Sequence, residues 1–101
     1  MENVNQIIDE SRAQLTGTLQ KWVRVPSIKA AAQEGAPFGP QVKRALETAL
    51  ADAEAMGFET RNIDGYAGDV RMGPLGAEPL AILAHLDVVP VGDGWKVETF
   101  E

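Results

Sequence analysis

Cysteine is absent from the 101 residues of this chain, and histidine and tyrosine each occur once. Without thiols there is no disulfide and no thiolate metal site, and a reducing cytoplasmic setting fits that composition. The single imidazole, His85, cannot alone make a structural or catalytic zinc site, which takes at least three protein ligands. Basic residues are also scarce: 9 Lys and Arg stand against 15 Asp and Glu, for a formal charge of −6. That balance argues against nucleic acid as a partner, whose usual footprint is a basic face. No apolar run approaches the roughly 18 to 20 residues of a membrane helix, so no membrane partner is expected. Met1-Glu2-Asn3-Val4-Asn5 shows no basic region leading into an apolar stretch, so no secretory signal is expected either. Internal repeats and low-complexity tracts are lacking.

What is present is an ordinary globular composition, 45% hydrophobic and 24% charged, in a length that suits one small domain. The acidity is spread along the chain and serves solubility. Ile8, Leu15, Leu19 and Trp22 recur at spacings of seven, four and three, which predicts an amphipathic helix from about Val4 to Val23 facing a core. Pro26 pushes Val25 out of helical geometry and ends that helix near Arg24. Ser27 to Gly39, rich in Ala, Gly and Pro, reads as an exposed loop. Pro40 suits the first turn of a second helix, with Val42, Ala45, Leu46, Ala49, Leu50 and Ala53 on its apolar face and Gly57 as C-terminal cap. Phe58 to Ile63 and Ala67 to Gly73 read as strands joined by an Asp64-Gly65 turn. A third strand, Leu80 to His85, follows the turn from Pro74 to Pro79. Two helices followed by three strands predict helices packed on a mixed sheet, an α/β or α+β fold.

The third strand carries the chemistry. In Ala81-Ile82-Leu83-Ala84-His85-Leu86-Asp87-Val88-Val89-Pro90 an apolar run ends in an imidazole and a carboxylate two residues apart. Residues i and i+2 of a strand face the same side, so His85 and Asp87 point at one spot. A neutral imidazole ligand with a carboxylate to orient it is a common metal-site pairing. A lone histidine at a strand end is by itself a common structural residue; the C-terminal end of a sheet strand, where sites gather, is what singles this one out. Val91-Gly92-Asp93-Gly94 reads as a tight turn in which Asp93 serves the turn itself. Trp95 and Phe100 could wall a pocket, but ordinary core packing is the preferred reading for both.

Ala84-His85-Leu86-Asp87-Val88-Val89-Pro90, followed by Gly92-Asp93-Gly94-Trp95 and Phe100, resembles the first metal-site motif of the M20 metallopeptidases. Tyr66-Ala67-Gly68, Gly73 and the short Gly-Asp-Gly-Trp connection look most like the PepV-type dipeptidase branch. Val25-Pro26-Ser27-Ile28 resembles that family's hydrophobic-Pro-Ser-hydrophobic segment after the first helix. The resemblance spans most of the chain and is specific from Ala84 to Trp95. Two departures, Ala84 for the usual Gly and Glu98-Thr99 ahead of Phe100, bear on the subfamily.

The resemblance implies that residues 1–101 are the N-terminal portion of a zinc-peptidase catalytic domain, with His85 a zinc ligand and Asp87 the catalytic acidic residue that orients it. It implies two zinc ions, with manganese or cobalt as alternatives, about 3.5 to 4 Å apart. The substrate would be a short unblocked peptide and the setting cytoplasmic. The general base and the other ligands would lie beyond Glu101, in keeping with a chain that stops just after two large aromatics. A deacylase or desuccinylase of N-acyl amino acids on the same scaffold is the neighbouring alternative. The 101 residues alone are expected to be catalytically inert. A nucleotide-binding α/β domain is disfavoured, because no Gly-rich phosphate loop enters a helix.

Overall fold

A computed structural model describes residues 3–74, 76 and 78–101. Helix α1 runs Val4–Val23. Asn3 caps it, its side-chain oxygen accepting from the Gln6 amide at 3.2 Å and so satisfying one of the free N–H groups of the first turn. Helix α2 runs Pro40–Ala55 and begins with proline in its first turn. It ends where Gly57 turns to φ +93°, with Gly57 N–H donating to Glu54 and Phe58 N–H to Ala53. That pair of bonds is the Schellman closure that a glycine just past a helix permits.

Strand β1, Glu59–Ile63, pairs antiparallel with β2, Ala67–Arg71, in the register Ile63↔Ala67 to Glu59↔Arg71. Asp64 and Gly65 both take positive φ (53° and 79°), and Tyr66 N–H closes the turn on the Ile63 carbonyl at 2.9 Å. Positive φ at both positions matches the right-handed twist of a hairpin, which is why Asp-Gly serves there. Arg61 Nε donates to Asp69 Oδ2 across the strands at 2.9 Å. That bond, more than any other influence, holds the Asp69 carboxyl below its ordinary value.

Helix α2 lies on this hairpin, with Leu46 and Leu50 against Gly68. The expected α/β packing of helix on sheet is therefore present, with α2 on the hairpin and α1 against α2. The ladder is antiparallel, and the parallel contribution is the isolated bridge Ile28↔Val88. Helix α1 meets α2 through its last turn, where Trp22 Nε1 donates to Asp52 at 2.7 Å and Lys21 pairs with the same carboxylate.

Four expectations change. Leu80 to His85 forms no ladder, because no described segment runs beside it; Leu80, Ile82 and Leu83 are almost wholly exposed. The stripe of α1 does not face a core, since Ile8, Leu15 and Leu19 are exposed and only Trp22 is half-buried. The loop from Ser27 to Gly39 is not simply exposed. It folds back through Ala30 N–H to the Phe38 carbonyl and a Gln33↔Ala36 bridge, burying Ser27 and Ala36. Trp95 is exposed rather than packed in a core, its indole N–H satisfied by the Val91 carbonyl at 2.7 Å. Phe100 is half-buried.

Candidate functional site

The segment from Ala84 to Val88 reaches the rest of the protein through the residues just after α1. Pro26 ends helical geometry; the Ser27 amide closes on the Val25 carbonyl at 2.8 Å, which leaves the Ser27 carbonyl and hydroxyl for other partners. Ser27 Oγ donates to the Leu86 carbonyl at 3.0 Å, and Val88 N–H donates to the Ser27 carbonyl at 3.0 Å. Both bonds leave one edge of the motif, on either side of Asp87.

His85 and Asp87 meet, as their spacing predicts. His85 Nδ1 lies 3.0 Å from the Asp87 backbone carbonyl and 3.3 Å from Asp87 Oδ1. The nearer acceptor is thus the backbone, with the carboxylate beside it. A neutral imidazole that donates from Nδ1 to either oxygen carries its lone pair on Nε2, the nitrogen on the far side of the ring. The His85 side chain is 84% exposed, so that lone pair is open to a ligand. Fixing the tautomer through the second nitrogen is the device by which metal-binding histidines are held.

Both residues line a cleft of about 370 Å³ between the motif, the 28–39 loop and the hairpin tip. Lys29, Phe38, Tyr66 and Leu46 also line it. Phe38 and Tyr66 meet edge to face, ring centres 5.5 Å apart. The volume falls within the range of small-molecule sites. Trp95 and Asp93 do not line this cleft. Reasoning from residue types brought neither Lys29 and Phe38 to this cleft nor Ser27 to the backbone of the motif. The Pro26-Ser27 pair was the available signal, a hydroxyl placed where a helix is forced to stop.

Among the described residues no group of three or more His, Cys, Asp and Glu side chains comes together to hold a metal ion. The donor set here fits one ligand position with its orienting partner, and does not fit a whole zinc site. Nor is any helix of the described residues long and apolar enough to cross a membrane.

No family model matches the chain. Curated proteins do. The chain is 40% identical over 83 residues, 80% of its length, to "Putative dipeptidase YtjP" of Bacillus subtilis (strain 168). It is 39% identical over 102 aligned positions, 99% of its length, to a "Putative dipeptidase" of Staphylococcus aureus (strain USA300). These alignments cover 18% and 21% of the two relatives, so the chain spans about a fifth of the length of the curated proteins it resembles.

Proposed function

We propose that residues 1–101 are the N-terminal portion of the catalytic domain of a zinc-dependent dipeptidase of the M20 type. His85 is one zinc ligand through Nε2, and Asp87 is the acidic residue that orients it. The observation that carries this reading is the His85 ring itself. It is held from Nδ1 by Asp87 and exposed at Nε2 on the wall of a cleft sized for a small molecule. The two relatives named as dipeptidases support peptide hydrolysis as the reaction.

A pair of zinc ions, or manganese or cobalt in their place, supplies Lewis-acid polarisation of the scissile carbonyl when bound. What this chain contributes is narrower. Asp87 fixes the ring, the ring offers one nitrogen, and the cleft between Tyr66 and the motif admits a short peptide. The remaining ligands and the general base belong to the part of the enzyme that follows. The substrate is a short unblocked peptide, and the setting is cytoplasmic, consistent with a chain that carries no cysteine.

The test uses the full-length protein. His85→Ala should abolish metal-dependent hydrolysis of dipeptides, and retained turnover at the wild-type rate would overturn the ligand role. A parallel panel of N-acyl amino acids separates the two chemistries. Preference for those over free dipeptides would reassign the protein as a deacylase.

A further inference from the structure

We propose that Ser27 is a positioning residue for the His85–Asp87 pair, acting through the backbone of the motif; its consequence for metal binding rests on the function proposed above. Ser27 is 3% exposed, and a hydroxyl so buried must be hydrogen-bonded or destabilise the fold. Two of its three bonds reach Leu86 and Val88, the residues that bracket Asp87. Along extended backbone the polar groups of successive residues leave opposite edges. Holding the Leu86 carbonyl and the Val88 amide toward Ser27 therefore turns the Asp87 carbonyl the other way, where it meets His85 Nδ1 at 3.0 Å. Ser27 thereby selects the tautomer of a residue it does not touch.

The contact has no substitute nearby. Residues 80–87 pair with no strand, and the bridge Ile28↔Val88 is the single ladder-type pairing recorded for the motif among the described residues. Removing the hydroxyl leaves the Val88 bond but frees the Leu86 carbonyl, so the peptide between Leu86 and Asp87 can rotate. The Asp87 carbonyl stays held through its own peptide with Val88, but the φ of Asp87 is released. The carboxylate 3.3 Å from His85 Nδ1 then loses its fixed place, and its share of the preference for hydrogen at Nδ1 goes with it.

Because His85 is the only histidine, long-range ¹H–¹⁵N correlation spectra of its ring report its tautomer without assignment ambiguity. The experiment uses metal-free chain at pH 8, with Ser27→Ala and Ser27→Thr beside the wild type. The Nδ1–H form should dominate in the wild type. It should fall roughly fivefold relative to the Nε2–H form in Ser27→Ala, the loss of about one hydrogen bond's worth of preference. It should recover in Ser27→Thr, which restores the hydroxyl. Amide signals of Thr60 and Asn62 in the hairpin serve as an independent measure of folding. An unchanged tautomer ratio in Ser27→Ala overturns the proposal, as does a wild type in which Nε2–H dominates. Collapse of the hairpin signals in Ser27→Ala also overturns it, since Ser27 would then hold the whole fold rather than the motif. None of these readouts involves zinc or peptide hydrolysis, so failure here is distinct from failure of the dipeptidase assignment.

Discussion

Gly68 lies so close against Leu46 that a β-carbon there would come 2.9 Å from Leu46 Cδ1, and as close to Leu50 Cδ2. This contact seats the hairpin on α2, and Leu46 and Gly68 are also wall residues of the cleft beside His85. Fold and candidate site thus share one point of packing.

Gly68→Val should therefore lower stability by about 1–3 kcal/mol, the usual cost of forcing extra methyl groups into a packed contact. Urea unfolding followed by circular dichroism measures it. Stability equal to or above wild type would show that the hairpin can lift from α2 without loss.

The parts of the fold that were legible in the sequence are those with local causes. Pro26, Pro40 and Gly57 mark helix ends through their own backbone restrictions, and both helices stand where those residues place them. Asp64-Gly65 names its turn for the same reason. The His85–Asp87 contact was legible because two residues in extended backbone share a side whatever lies around them. Leu80 to His85 failed as a strand because a strand also needs a neighbour, and pairing is not local. The α1 stripe failed likewise: periodicity says which face is apolar, not what covers it. Ser27 stayed hidden as a site residue because its partners lie far along the chain, at Leu86 and Val88.

Asp52 gives the α1–α2 contact a pH dependence. The hydrogen bond from Lys21, then that from Trp22, holds its carboxyl below the ordinary 3.8, against the opposing effect of burial. A carboxyl depressed in the folded state stabilises fully above its unfolded pKa, and that contribution fades as pH falls through the folded one. Asp52→Asn should thus cost about 1 kcal/mol at pH 7 and progressively less at a second, acidic pH below the ordinary carboxyl value. Trp22 emission in a Trp95→Phe background follows the contact directly. A gap of equal size at both pH values would rule out the carboxylate as its source.

Zinc provides a third check. One imidazole with an orienting carboxylate is an incomplete ligand set. After dialysis against micromolar zinc, the 101-residue chain should carry less than one equivalent by elemental analysis, and should show no peptidase turnover. The full-length protein should retain zinc through the same dialysis and lose its activity to a chelator. Stoichiometric zinc on the 101-residue chain would mean that donors besides His85 and Asp87 converge there.

The apolar segment after Pro79 makes the last prediction. Leu83 is 94% exposed, Leu80 and Ile82 nearly as much, and no ladder covers their backbone. An unpaired extended edge flanked by large aliphatic side chains is a template for pairing between chains. The 101-residue chain should therefore associate as its concentration rises, visible as growth of a heavy component in light scattering. Ile82→Lys places a charge within that run without touching Ser27, His85 or Asp87, and an edge lysine is the usual device against such pairing. It should delay association while leaving the helical signal in circular dichroism unchanged. If wild type and Ile82→Lys associate alike, the sticking surface lies elsewhere, and the exposed stripe of α1, with Leu15 and Leu19, becomes the place to substitute next.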